Sequence, residues 1–383
     1  MIVFIIIIGV LLLYYLVYLG IFYIGIERKY TAAMNAQPFV SVVVAARNEE
    51  NTIPQLLTSL INQDYPEDKF EIIIADDGSD DTTARIVQDF QKKSDNLILL
   101  PVTVSDEVVS RKKNALAQAV QKSRGEILLT TDADCVVTYQ WISGMVRYFG
   151  RGVGMVAGLS TPFIPNWKEA SLFQKYEYID TIGLFFAAAG ALGADKAFSC
   201  SGQNLGYTRE AFKKVRGYES IKNQISGDDV LIMQLIKNAG FELRFAFGKE
   251  TQALTKSETR LGKFLNQRTR WASNERVQIS LNTGFYLYLA DVFLLNVLII
   301  VGLFFISLYA AGAWLLKMIG EYVILRRGIM RFALPKKSLS LFPLWAILQP
   351  LYITIVGIGG KLRLFFLEQK TTNQIVKNWI FIL

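Results

Sequence analysis

Ile72-Ile73-Ile74-Ala75-Asp76-Asp77-Gly78-Ser79 is the stretch on which the reading of this chain turns. An apolar run of strand length stops at two acids and a glycine, and Asp80-Asp81-Thr82-Thr83 then supplies residue types that open a helix. Read blandly, this is a turn followed by a cap. Read functionally, a carboxylate at a strand end accepts hydrogen bonds from a nucleotide base or ribose. Either way, a buried strand leads into a helix.

The alternation extends on both sides. Val40 to Ala45, Glu71 to Ala75, Leu97 to Leu100, Ile127 to Thr131 and Val153 to Ala157 read as strands, with Glu50 to Gln63 and Asp81 to Lys92 as helices between the first pairs. This pattern, over residues 38–254, predicts an α/β domain with a mostly parallel sheet. Ligands of such sheets gather at the carboxyl ends of strands.

Outside the domain the chain is apolar. Of 383 residues, 52% are hydrophobic and only 19% charged, which excludes an ordinary soluble globule. Residues 2–26 carry no charge, and a helix of that length runs roughly 37 Å, enough to span a bilayer. The basic start, short apolar core and small-residue cleavage site of a signal peptide are not evident. Glu27, Arg28 and Lys29 follow this first segment (1–27), which places the next domain in the cytosol. Residues 255–283 look like an amphipathic interfacial helix. Residues 284–325 are interrupted only by Asp291, Lys317 and Glu321, and at about 63 Å fit one long tilted span or a hairpin. Residues 339–366 form the last apolar segment, with Pro343 and Pro350 expected to kink it.

The formal charge is +8, and it has a location. Nine Lys/Arg and a single acid follow residue 321, while the rest of the chain is neutral overall. Positive charge beside apolar segments predicts anchoring at membrane lipids rather than a nucleic-acid groove. The chain has no histidine, which excludes Ser-His-Asp and Cys-His nucleophile schemes and every His-ligated metal site. Cys135 and Cys200 are too few for a disulfide scaffold or a Cys₄ metal site.

Three further motifs carry acids or a basic-aromatic cluster. In Thr130-Thr131-Asp132-Ala133-Asp134 a strand runs into two acids two residues apart, placed by alternation on one side. Such a pair repels unless a cation lies between, and a divalent metal on diphosphate oxygens supplies one; a solvated strand end is the alternative. Ser226-Gly227-Asp228-Asp229 before an apolar run reads alone as a capping box. Gln267-Arg268-Thr269-Arg270-Trp271 reads alone as a membrane-surface helix with an interfacial tryptophan.

Their order and spacing together, over about residues 38–280 and between apolar segments, strongly resemble the family 2 glycosyltransferases of the cellulose, chitin and hyaluronan synthase type. Ala45-Ala46-Arg47-Asn48-Glu49-Glu50 matches the segment after that family's first strand, Lys112-Lys113-Asn114-Ala115-Leu116 its Lys-x-x-Ala-Leu element, and Ser201-Gly202-Gln203-Asn204-Leu205 its acceptor-side loop. Gly227-Asp228-Asp229 stands where Glu-Asp is more usual, and the membrane portion is short.

The resemblance implies a Rossmann-like GT-A fold with flanking transmembrane helices. It implies a multi-pass cell-membrane enzyme that inverts the anomeric centre, moving sugar from a nucleotide-diphosphate donor, expected to be a UDP-sugar, to a glycan or lipid-linked hydroxyl. Asp76 or Asp77 would hold base and ribose, with Lys112, Asp132, Gln267 and Arg270 on the rest of the donor. Asp132 and Asp134 would hold Mg²⁺ or Mn²⁺. Lys112 and Arg270 would neutralise the departing nucleotide. Asp229, its pKa raised by Asp228 and the cleft, would act as base. Trp271, Ser201 and Gly202 would face the acceptor. A nucleotide-sugar-binding membrane protein without turnover is the alternative.

Overall fold

The computed structural model describes residues 1–30, 37–103, 109–224, 227–273, 279–362 and 364. Ser226, the 274–278 end of the basic stretch, Arg363, and the 365–366 end of the last apolar segment with Glu368, Lys370 and Lys377 lie outside them.

Strands β1 (Val40–Ala46), β2 (Phe70–Asp76), β3 (Leu97–Pro101), β4 (Ile127–Thr130), β6 (Val153–Gly158), β8 (Leu205–Thr208) and β9 (Glu242–Ala246) form one sheet in the order β3-β2-β1-β4-β8-β6-β9. Val40, Val42, Val43 and Val44 of β1 and Ile72, Ile73 and Ile74 of β2 are buried on successive positions, as in strands covered on both faces. β1 runs parallel to β2 and β4, with Ala46 opposite Asp76, so these strands end along one edge. β8 is antiparallel to β4 and sets Leu205 against Thr130. That reversal brings the 201–204 loop to the strand end that leads into Asp132. A small second sheet joins β5 (Cys135–Val137), β10 (Ala253–Thr255) and β7 (Ser160–Pro162).

Helices α2 (Ile53–Ile61), α3 (Thr83–Gln91), α4 (Arg111–Lys122), α5 (Trp141–Val146), α7 (Arg209–Lys214) and α8 (Asp228–Asn238) surround the large sheet. Helix α6 (Leu172–Gly193) joins domain to bundle, packing its glycines on α1 (Ile2–Ile26). A methyl on Gly25 would lie 1.8 Å from the Gly190 carbonyl oxygen, and one on Gly193 would lie 2.0 Å from the Gly25 oxygen. The two backbones therefore touch, which only side-chain-free residues permit.

Among the described residues, four helices are long and apolar enough to cross a membrane: α1, α10 (Thr283–Phe305), α11 (Ser307–Arg331), and the segment 336–361 that contains α12 (Phe342–Lys361). The 284–325 stretch is a hairpin. A methyl on Gly302 would lie 2.9 Å from Ala310 Cβ, a contact that eight residues of continuous helix could not make. The turn falls at Ile306. At the other end, Glu27 pairs with Arg327, and Arg331 Nε donates to the Ile26 oxygen at 3.2 Å, so α1 and α11 finish side by side next to the domain. Pro343 lies in the first turn of α12, where its missing N–H leaves no bond unmade, so it opens the helix rather than kinking it. Pro350 stays within the unbroken helix.

Candidate active site

The site lies at the carboxyl edge of β1, β2 and β4. Asp76 Oδ1 accepts from Ser79 Oγ at 2.5 Å, closing the turn that Gly78 makes at φ 65°. Asp77 is buried; its Oδ2 accepts from Arg111 Nε at 2.9 Å and faces Arg47 at 3.9 Å, while its Oδ1 has no partner. The two acids thus differ: Asp76 is spent on its own turn, and Asp77 presents an oriented carboxylate held by arginines. The N-cap of α3 is Thr82, and Asp81, one residue before it, accepts from Thr83 N through Oδ1 at 2.9 Å.

Beyond β4 the strand pattern stops at Thr130, so alternation along a strand does not set the sides of Asp132 and Asp134. They sit in a turn closed by Cys135 N donating to the Asp132 oxygen at 3.0 Å, and the turn brings both carboxylates to one cleft with Ala45, Glu49, Lys112 and Ala133. Lys112 Nζ lies 2.6 Å from Asp132 Oδ1. Burial, with Asp132 and Glu49 nearby, pushes the Asp134 pKa up to about 6. The charge on Asp134 is therefore the under-compensated one.

Asp228 and Asp229 open α8. The N-cap of α8 is Gly227 at φ 81°, and Ser226, which the expected capping box needs, lies outside the described residues. Asp229 Oδ2 accepts from Gly202 N at 2.9 Å and its Oδ1 from Val230 N at 2.8 Å. The Gly202 loop is held in turn by Thr131 Oγ1, which donates to the Gln203 oxygen at 2.9 Å. A point one carbon out from Gly202 lies 3.7 Å from Lys112 Nζ, 3.9 Å from Asp229 Oδ2 and 4.0 Å from Asp228 Oδ2. Four separated segments thus converge around one ammonium. Burial and then Asp228 push the Asp229 pKa up to about 6. Burial works against the Lys112 charge, but Asp132 and Asp228 outweigh it and hold its pKa above the ordinary lysine value.

Gln267, Arg270 and Trp271 stand on α9 (Leu261–Ala272), and none of them lines the acid-walled cavities. Arg268, which the sequence reading passed over, is buried with Thr269, and its Nε lies 3.0 Å from Asp180 Oδ2. Gln267 Oε1 accepts from Arg268 Nη1 at 3.2 Å, and Trp271 is 43% exposed with its ring 4.4 Å from the Arg268 guanidinium. The tie between α9 and the site runs along the chain. Gln203 Nε2 donates to Thr255 Oγ1 at 3.0 Å, and Leu261 begins α9 six residues later.

The sequence reading also missed Tyr207 and Tyr218, which wall the inner pocket behind Lys112 and Asp229, and Arg111 as the partner of Asp77. Arg111 was visible as a third cation beside Lys112 and Lys113. The tyrosines carry no local pattern.

The donor set suits a hard divalent cation. Asp132 and Asp134 offer oxygen, and Asp134 has no cation bonded to it by an ion pair among the described residues. No group of three or more potential ligands gathers among the described residues, so the two acids do not make a closed cage. Mg²⁺ suits that arrangement, since it commonly takes one or two carboxylates with substrate phosphates and water.

The sheet is that of a GT-A-like α/β fold, mostly parallel. Residues 41–216 match the family described as Glycosyl transferase family 2; the match ends before Asp228. A mannosyltransferase of Pyrobaculum calidifontis, solved with GDP-Man and Mn2+, has the same fold, with a TM-score of 0.59 over 93% of this chain and 98% of its own at 18% identity. Among curated relatives, the chain is 28% identical over 275 residues to the probable glycosyltransferase YdaM of Bacillus subtilis, covering 69% of this chain and 62% of the relative. It is 29% identical over 214 residues to the glycosyltransferase AglE of Haloferax volcanii, covering 55% and 64%. The chain thus spans less than two thirds of the length of these relatives.

Proposed function

We propose that this protein is a membrane-bound inverting glycosyltransferase that moves a sugar from a nucleotide-diphosphate donor to a hydroxyl of a glycan or lipid-linked acceptor. The observation that carries the reading is the convergence of Asp132, Lys112, Gly202, Asp228 and Asp229 at the carboxyl edge of the sheet. A single displacement needs a base on one side of the sugar and a place for negative charge on the other. Asp229 has a raised pKa, which suits a base working near neutral pH.

Asp229 would take the acceptor proton as its oxygen bonds to the anomeric carbon. The bond from that carbon to the diphosphate oxygen breaks, and its electrons leave with the nucleotide. Lys112 supplies positive charge beside the diphosphate. Asp132 and Asp134 would hold Mg²⁺ or Mn²⁺, which when bound offsets diphosphate charge. Asp77, oriented by Arg111, would receive the base or ribose, and Asp76 keeps the turn. Ser201, Gly202 and Trp271 would face the acceptor, and Gln267 and Arg270 of α9 the donor. The apolar helices anchor the enzyme as a multi-pass protein of the cell membrane with the domain on the cytosolic side, where Arg28 and Lys29 follow α1.

The test is purified full-length protein incubated with a panel of UDP- and GDP-sugars, reading released nucleotide and product mass. Sugar transfer supports the assignment. Binding without transfer would make the protein a nucleotide-sugar-binding membrane protein instead.

A further inference from the structure

Asp180 lies on α6, 3% exposed, and has no place in the chemistry above. Its Oδ2 receives Arg268 Nε at 3.0 Å and Nη2 at 2.9 Å, and its Oδ1 receives Trp345 Nε1 of α12 at 3.3 Å. The guanidinium is occupied all round. Nη2 also donates to Thr181 Oγ1 at 2.9 Å and Nη1 to Gln267 Oε1 at 3.2 Å. Its faces meet the rings of Trp271 at 4.4 Å and Phe264 at 4.8 Å. One carboxylate therefore fixes the plane on which Trp271 rests.

We propose that Asp180 is a positioning residue for the acceptor side of the transfer reaction, holding Trp271 in place through Arg268. The inference rests on the reading of Trp271 as an acceptor surface. Burying an ion pair gains little stability over apolar side chains of the same volume, so holding α6, α9 and α12 together does not by itself call for one. What a guanidinium adds is orientation. A carboxylate fixes it in plane by directed hydrogen bonds, and its face fixes an indole by cation–π contact. Trp271 is left with one side on Arg268 and 43% of its surface open, as a platform for the apolar face of a sugar would be.

The test uses the full chain in nanodiscs, labelled with 5-fluorotryptophan. The Trp271 line is assigned from Trp271→Phe among six tryptophans. Asp180→Asn is compared with Asp180→Asn/Arg268→Gln, which leaves no lone buried charge if the single variant fails to fold. UDP-glucose, UDP-N-acetylglucosamine and GDP-mannose serve as donor probes, octyl β-D-glucoside as acceptor probe, and donor hydrolysis in its absence as control.

Both variants should shift and broaden the Trp271 line. They should raise the acceptor KM about tenfold, the scale of one lost cation–π contact. Donor KM and hydrolysis should stay within about twofold. Trp271→Ala should raise the acceptor KM likewise, and adding Asp180→Asn to it should cost nothing more. An unmoved Trp271 line overturns the inference, whichever donor is used. An acceptor KM that rises in Trp271→Ala but not in the Asp180 variants also overturns it, leaving the acceptor reading intact. If Trp271→Ala leaves the acceptor KM unchanged, the acceptor reading fails and the inference with it. Parallel loss of donor and acceptor affinity marks a merely structural pair and refutes positioning.

Discussion

Lys112 Nζ stands 2.6 Å from Asp132 Oδ1 and shares the space around Gly202 with Asp229 Oδ2, so one ammonium lies between the acid pair after β4 and the acid pair that opens α8. Neither pair is near the other in sequence. The ammonium relieves the repulsion of both.

Lys112→Met should therefore harm more than binding. Without the ammonium the carboxylates face each other unrelieved, and the leaving diphosphate loses its nearest positive side chain. Turnover should fall about 10²–10³-fold, the range for removing one preorganised donor from developing charge. Steady-state nucleotide release measures this. More than half of wild-type turnover would remove Lys112 from the chemistry.

Asp134 predicts how metal and pH combine. Its folded pKa is raised to about 6, so the native state holds a proton that the unfolded chain, titrating near 3.9, has released. Stability from this group is therefore greatest below about pH 4 and declines as pH rises to about 6. A divalent cation removes that cost only where the carboxylate is ionised. Mn²⁺ should raise the melting temperature more at pH 7.5 than at pH 5, and Asp134→Ala should abolish the difference. Equal shifts at both pH values would show that the ion binds elsewhere.

As the proposed base, Asp229 would set the pH dependence of rate. With its pKa raised to about 6 by burial and Asp228, the base form grows as pH rises through that value. The profile of kcat/KM should rise through about pH 6 and level above it. In Asp228→Asn, which removes the neighbouring charge, the rise should move to lower pH. A limb that stays in place in that variant assigns it to another group.

The backbone contact between α1 and α6 predicts a steric sensitivity. A methyl on Gly190 would lie 2.5 Å from the Phe22 oxygen, whereas one on Gly9 would meet nothing within 4 Å. Gly190→Ala should destabilise by about 1–3 kcal/mol, the usual cost of overpacking. Gly9→Ala should be neutral. Thermal unfolding in detergent separates them.

Much of this was legible from residue order alone. β2 and the Asp76-Asp77-Gly78 turn follow from an apolar run broken by acids and glycine, and local chemistry of that kind survives folding. The Asp132 and Asp134 pair was found for a reason the structure replaces, since a turn, not strand alternation, brings them to one cleft. The bond from Gly202 N to Asp229, 27 residues distant, could not be read from the Ser226–Asp229 spacing. Asp180 with Arg268 was out of reach for the same reason: a pair 88 residues apart, on two helices, leaves no trace in spacing. Likewise, length alone could not decide between a hairpin and one long helix for 284–325; the contact of Gly302 with Ala310 does.

Asp229→Asn decides whether Asp229 takes the acceptor's proton. The amide keeps the shape and one acceptor oxygen, so as a helix-start residue its loss should cost only about 0.5–2 kcal/mol of stability. As a base it is worth about 10²–10⁴-fold in rate. Donor affinity by calorimetry and sugar transfer by product mass should be measured on the same preparation. The account predicts a folded protein that binds nucleotide sugar like the wild type and transfers at a hundredth of its rate or less, about the lower bound for a lost base. Transfer above about a tenth of the wild-type rate, with donor affinity unchanged, would contradict it.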